Sequence, residues 1–267
     1  MYCNLLEQSA VADRFGAIST SQHCAVEQIK KANLGLRSHY KVLDLGVGSG
    51  FFLEQLKPHM PQAEFTGIDI SSEMLRNACE RMPLVAIEGS ATEANRFLPH
   101  HSQDLVLAHF INAYIPFHTL FNQAQLLTRS NGHFSLVTTT YDSFPIAQQY
   151  LADFVAQDSL LSSIVGHYYK AIVKNTTIAS GQTALLEAFH THDFEIVEHQ
   201  RLSIPMQINT LDELALFSIE GTWFLNSIAI RMLPKKFLLQ RLKRLFSKIF
   251  TFPYEDTHLI DVVLAKK

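Results

Sequence analysis

Val42-Leu43-Asp44-Leu45-Gly46-Val47-Gly48-Ser49-Gly50 sets three glycines at alternate positions directly after a short apolar run. Few local sequences restrict a chain more. Tyr40–Leu45 reads as a buried strand, and a helical segment follows from about Ser49 to Lys57, closed by Pro58 and Pro61. Glycines between them let the backbone turn tightly and approach a ligand, while the helix N-terminus presents unpaired N–H groups. The pattern then repeats. Glu64–Asp69 reads as a second strand, with Ser71 capping a helix to about Arg81. Leu84–Glu88, Asp104–His109 and His133–Thr139 read as further strands, with a helix around Phe117–Thr128. Strands alternating with helices predict an α/β fold: a doubly wound, mostly parallel sheet covered on both faces.

The flanks are less regular. Residues 4–33 carry helical patterning broken near Gly16, with Ser19-Thr20-Ser21 as the expected cap of the second helix. Residues 143–190 look mainly helical, Phe194–Ser203 reads as a strand stopped by Pro205, and His258–Ala265 as the last strand. Between those two strands lies a helical block too long for a bare connection. The expected organisation is one domain over 1–267, with a ligand-binding core at 34–142 and an inserted helical cap at 206–252.

Composition enters mainly by exclusion. The 267 residues suit one full-sized domain, and 47% hydrophobic with 18% charged residues excludes a disordered chain. A formal net charge of −3 gives no overall electrostatic grip on nucleic acid. Cys3, Cys24 and Cys79 are too scattered for a disulfide framework. The first residues lack the basic start and long apolar core of a secretion signal. No stretch approaches the ~20 apolar residues of a membrane span. The expectation is a cytoplasmic protein. His190-x-His192 and His100-His101 are the only close histidine groupings, and neither has common zinc spacing, so no metal is expected.

Asp69 ends the second strand twenty-five residues beyond Asp44, placed for a ribose diol. A dinucleotide turn wants its third glycine at 51, where Phe51 stands; Gly50 comes one position early. Asp44, two positions before Gly46, disfavours a pyrophosphate but suits an ammonium group. These residues favour an adenosine ligand with a zwitterionic tail over NAD.

Here the chain resembles the class I S-adenosylmethionine-dependent methyltransferases. The resemblance rests on Asp44–Gly50, on Gly67-Ile68-Asp69-Ile70-Ser71 followed by Met74-Leu75, on Ser102–Leu107, and more loosely on Leu126-Leu127 with Asn131-Gly132-His133-Phe134. It covers about residues 40–140 in the family's order. It implies a Rossmann-like, seven-stranded sheet with an antiparallel last strand, and S-adenosylmethionine as cofactor. Gly46, Gly48 and Gly50 would shape the turn around the methionine tail, and Asp44 would hold its amino group through backbone or water. Asp69 would accept from the ribose, and Ile70 and Met74 would flank the adenine. Many members carry an acid beside the adenine amino group where this chain has Ser90 in Glu88-Gly89-Ser90-Ala91-Thr92; Ser90 and Ala91 would hold that edge less strongly.

In this fold acceptors sit over the carboxyl ends of the strands. His109 is the first candidate for a base or acceptor-orienting group there, and it borders the cofactor; Tyr141 and Asp142, after the fifth strand, have a similar claim. His118 falls within a helix and reads as structural. From Arg231 to Phe250 the insert holds seven of the 22 basic residues and no acid. Phe237, Leu238, Leu242, Leu245, Phe246 and Ile249 recur at helical steps, giving an apolar face beside a basic one. Such a helix is either a plain lid or a dock for an anionic membrane surface or acidic carrier protein. Phe217, Trp223, Phe224, Leu225 and Phe237 would wall an apolar acceptor pocket.

The expected activity is methyl transfer to O or N of an apolar small-molecule, lipid or polyketide-like acceptor. A second resemblance is to the malonyl-acyl-carrier-protein methyltransferases of biotin synthesis, on Val11–Ala17, the insert, and Thr257–Val262. It implies carboxyl O-methylation of a carrier-bound substrate. A regulatory protein that binds the cofactor without turnover is the alternative of another class, and an RNA methyltransferase is disfavoured by the acidic balance outside the insert.

Overall fold

A computed structural model describes residues 13, 15–112, 114–157, 159–174, 178–220 and 235–267. Helix α1 (Ala17–Lys31) precedes β1 (Lys41–Leu45), α2 (Phe51–Leu56), β2 (Glu64–Asp69), α3 (Ser72–Arg81) and β3 (Val85–Glu88). A 3-10 segment (Ala91–Arg96) leads to β4 (Gln103–His109), α4 (Phe117–Leu127) and β5 (Thr128–Thr139). Then come α5 (Pro145–Val155), α6 (Leu160–Lys174), α7 (Gln182–Thr191), β6 (Glu195–Ile208), α8 (Leu211–Glu220), α9 (Lys235–Ile249) and β7 (Tyr254–Lys266).

Among the described residues one seven-stranded sheet runs in the order β3-β2-β1-β4-β5-β7-β6. β1 to β5 pair in parallel, and β7 is antiparallel to both β5 and β6. The order reverses between β1 and β4, so their carboxyl ends form the crevice where doubly wound sheets take ligands. One face buries Val42, Leu105, Leu107, Val137 and Val262 beneath α1 and α2. The other buries Leu43, Val106, Phe134 and Val263 beneath α4 and α7, where the Phe121 and Phe189 rings meet 4.8 Å apart. Both faces are apolar because β1 and β4 are interior strands of a parallel sheet.

Asp104 anchors the opposite end of the sheet. It is 3% exposed, accepts from the Lys41 backbone N–H (2.7 Å), and pairs with the guanidinium groups of Arg37 and Arg129. Replacing it with alanine leaves a backbone donor of β1 unpaired. Asp104→Ala is expected to cost about 2–3 kcal/mol of stability in urea unfolding and to leave ligand affinity at the other end of the sheet unchanged.

Three local expectations are corrected. The strand expected to stop at Pro205 continues to Ile208, with Pro205 opposite Thr257. β6 is an edge strand, where a missing N–H is tolerated. β7 likewise begins at Tyr254 rather than His258. Helix α1 starts before Ser19-Thr20-Ser21, and its first turn is held by Asp13, whose carboxylate accepts from Ile18 N (2.7 Å) and Ser19 N (3.2 Å).

β7 pairs with β5 only over residues 260–266, while residues 254–259 pair with β6 alone. The two strands thus overhang the sheet as a ribbon. Its end, with α5 and α8, buries Phe144, Met206, Ile208, Leu214, Phe217 and Tyr254, and α9 packs on α8. The Asp256 carboxylate joins ribbon to helix, accepting from Ile146 N (3.1 Å) and Ala147 N (2.8 Å) at the start of α5.

Candidate functional site

The glycine turn leaves the carboxyl end of β1 with Gly46, Gly48 and Gly50 all in the left-handed region, at φ 79°, 53° and 77°. Gly46 N and Val47 N donate to Ile68 O (2.8 and 3.0 Å), which ties the turn to β2. A Cβ on Gly46 would lie 2.0 Å from Ile111 Cδ1, whereas one on Gly48 would meet nothing within 4 Å. The turn is therefore closed on the side of Ile111 and open at Gly48.

Asp69 organises this loop with both oxygens. Oδ2 accepts from Gly48 N and Oδ1 from Ser71 N, each at 2.9 Å. A carboxylate has about four acceptor sites, so two remain for a diol. Ser71 caps α3 by accepting from Met74 N (3.3 Å). Ile70, just past β2, is 72% exposed, and Met74, in the first turn of α3, is buried. The register places Asp44 opposite Gly67 and Leu107, and Asp69 opposite Glu88, so β1, β2 and β3 bring these groups to one rim.

Asp44 is 4% exposed. Burial first, and the Asp69 charge second, push its carboxyl up to about 7. Ser90 stands at the rim with its hydroxyl engaged: Oγ accepts from Thr92 N (3.2 Å), lies 2.7 Å from Thr92 Oγ1, and caps the 3-10 segment. Ala91 is buried behind it.

His109 closes β4. Its Nε2 lies 3.1 Å from Ser135 Oγ, its ring meets Phe52 edge-on at 4.1 Å, and its Nδ1 is buried with no hydrogen-bond partner among the described residues. Burial lowers its pKa to about 3, which leaves the ring neutral and a weak proton acceptor at pH 7. A base at this position would need the unperturbed imidazole value of about 6.5, which this burial removes.

Tyr141 and Asp142 lie past β5. Tyr141 N donates to Ala179 O (2.8 Å), and Asp142 Oδ1 accepts from Arg201 Nη2 (2.7 Å) and Thr140 Oγ1 (2.5 Å). Burial favours the neutral acid, but the bonds from Arg201 and Thr140 outweigh it and hold the Asp142 carboxyl below the usual range. His118 is exposed on α4, its ring 6.0 Å from that of His192. Among the described residues there is no group of three or more His, Cys, Asp or Glu able to hold a metal, and no helix long and apolar enough to cross a membrane.

Several groups carried no sequence signal. Phe110 adopts φ 56°, rare for a bulky residue, immediately before Ile111 turns onto Gly46. Asn112 is 2% exposed with its amide nitrogen unpaired among the described residues. Arg201 belongs to no motif. Val11, Ala12, Arg14, Trp223, Phe224, Leu225 and Arg231 lie outside the described residues.

Residues 42–132 match the family model described as a methyltransferase domain. Over 80 residues the chain is 36% identical to a trans-aconitate 2-methyltransferase of Afipia carboxidovorans, covering 29% of this chain and 30% of that protein. A Rhodopseudomonas palustris protein of the same name is 36% identical over 89 residues, 33% of each chain. The chain thus matches about a third of the length of these relatives. Among solved structures, YcgJ of Bacillus subtilis superposes with a TM-score of 0.58 at 15% identity, over 92% of this chain and 98% of that one. A possible histamine N-methyltransferase of Thermotoga maritima does so at 0.52 and 16%, over 99% and 95%. These likenesses reproduce the fold, and the sequence match falls on the half that carries the glycine turn and Asp69. Over residues 42–132 the chain is thus similar to methyltransferase domains, and its sheet and flanking helices have the fold of these solved structures.

Proposed function

We propose that this chain transfers a methyl group from S-adenosylmethionine to a carboxylate oxygen or an amine nitrogen of an apolar small molecule. The donor set is compatible with the cofactor: left-handed glycines open at Gly48, Asp69 with acceptor sites to spare, and Ile70 exposed just past β2. Asp69 would hold the ribose, Ile70 and Met74 the adenine, backbone groups of Ser90 and Ala91 its edge, and Asp44 the amino group. When bound, the cofactor supplies a methyl group already activated on a sulfonium sulfur. The chain has then to orient the acceptor and exclude water, and alignment alone contributes about 7–11 kcal/mol.

The observation that carries the acceptor class is that neither His109 nor Asp142, the two titratable candidates on the acceptor side, is a poised base. The His109 pKa is lowered to about 3 and Asp142 is held ionised by Arg201. Neither suits deprotonation of a phenol or alcohol at pH 7, whereas carboxylates and neutral amines need none. His109 and Tyr141 would orient the acceptor, and the apolar composition of 206–252 is the basis for reading its body as apolar. Relatives named for trans-aconitate support a carboxylate.

The test is calorimetry with S-adenosylhomocysteine, NADH as control, followed by an acceptor panel of fatty acids, trans-aconitate, amines and phenols. Micromolar binding of the first ligand alone and turnover of acids or amines are expected. Preferred turnover of phenols would overturn the acceptor class, and binding without turnover on any acceptor would make the chain a regulatory cofactor binder.

Asp44 adds a pH signature. Its carboxyl, raised to about 7 in the folded chain, must ionise to hold an ammonium group. S-adenosylhomocysteine affinity is therefore expected to rise with pH towards about tenfold per unit below 7 and to flatten above it. Asp44→Asn should remove the slope. The same raised pKa means that the folded chain binds this proton more tightly than the unfolded one, so this group's contribution to stability falls between about pH 4 and 7.

A further inference from the structure

We propose that the outer face of α9 is a docking surface for an anionic lipid bilayer. The helix packs its other side inward: Leu242 and Ile249 are buried, Phe246 joins the cap clusters, and Lys243 pairs with Asp212 of α8 at 2.8 Å. What remains outside is ordered. Phe237, Arg241, Arg244 and Lys248 follow one another at steps of four, three and four residues, which sets them in one stripe along the helix. Phe237 is 42% exposed, Arg241, Arg244 and Lys248 are exposed, and the Arg241 guanidinium lies 4.9 Å from the Phe237 ring centroid.

At about 1.5 Å per residue the stripe is roughly 16 Å long. Three cations spread over that length do not converge on a single phosphate; they match a plane of separate anionic groups. No acidic residue interrupts 221–250 after Gly221, and the sequence just before the helix holds Trp223, Phe224, Leu225, Ile228, Ile230 and Leu233. Cations beside an exposed aromatic ring, next to an apolar stretch without acids, are what an interfacial helix needs, whereas an acidic protein would call for the cations alone. The surface stands on this helix and independently of the methyltransferase reading. Joined to it, docking would set the cap against the phase in which an apolar acceptor dissolves.

The test is co-sedimentation of the full chain with vesicles of mixed phosphatidylglycerol and phosphatidylcholine, and with phosphatidylcholine alone. Binding to the anionic vesicles only, weakened by salt, is expected. Each cation adds roughly fivefold, so the triple variant Arg241→Glu, Arg244→Glu, Lys248→Glu should lose at least about a hundredfold in partitioning. Its S-adenosylhomocysteine affinity should match the unmodified chain, because all three side chains lie outside the crevice. Failure of the folded chain to bind anionic vesicles, binding unaltered in the triple variant, or binding to polyglutamate without binding to vesicles would overturn the proposal. Vesicle binding by a chain that does not bind S-adenosylhomocysteine would uphold this surface and overturn the proposed activity.

Discussion

Gly46→Ala should reduce S-adenosylhomocysteine affinity by a hundredfold or more. Gly46 sits at φ 79°, where an L side chain costs about 1–2 kcal/mol, and its Cβ would fall 2.0 Å from Ile111 Cδ1. Ile111 Cγ1 and Cβ follow at 3.0 and 3.3 Å, so rotating one methyl does not clear the overlap. Either the loop after β4 lifts or the turn opens. In both cases the amides of Gly46 and Val47 lose their alignment on Ile68 O, and with it the shape of the turn. Gly48→Ala is the control: the strain is similar, but its Cβ meets no protein atom within 4 Å. It should melt near the unmodified chain and lose affinity only through what it puts in the ligand's way. Calorimetry with thermal melts separates the two effects, and wild-type affinity in a folded Gly46→Ala chain would remove the turn from the cofactor site.

Asp69→Ala should produce a loss of comparable size, about a hundredfold, for a different reason. The carboxylate makes two charge-assisted bonds, to Gly48 N and Ser71 N, and would make its ligand bonds with the same oxygens. Bonds to a charged group contribute about 1.5–3 kcal/mol each, and removal also releases Gly48 to turn away. Asp69→Asn keeps the shape but exchanges one acceptor for a donor, so it should fall between alanine and wild type. Equal affinity in all three folded chains would place the ribose elsewhere.

Both residues were legible because the information is local. A strand, alternate glycines and an acid at the end of the next strand fit within thirty residues, and parallel register does the rest. What escaped the sequence depends on distant partners. Arg201 reaches Thr140 and Asp142 from 61 and 59 positions away, and no spacing rule connects them. His109 was legible as the residue closing β4, but not as so weak a base, because its depressed pKa comes from burial, with Phe52 and Ser135 among its neighbours. Ser90 was legible as following the third strand, while its hydroxyl's engagement with Thr92 appears only once the 3-10 segment forms. Pro205 misled because the sequence does not say which strand is the edge.

The β6–β7 ribbon bears on how such a chain can change. Its last pair, Ile208 opposite Tyr254, brings the start and finish of the intervening segment side by side, clear of the glycine turn. A segment that leaves and re-enters at neighbouring points can be lengthened, shortened or exchanged at a closure entropy that grows only with the logarithm of its length. On the proposed function, the half that would read the cofactor and the half that would meet the acceptor are thus free to diverge at separate rates. A chimera grafting a foreign segment between Ile208 and Tyr254 should keep its nucleotide affinity and acquire a different acceptor range.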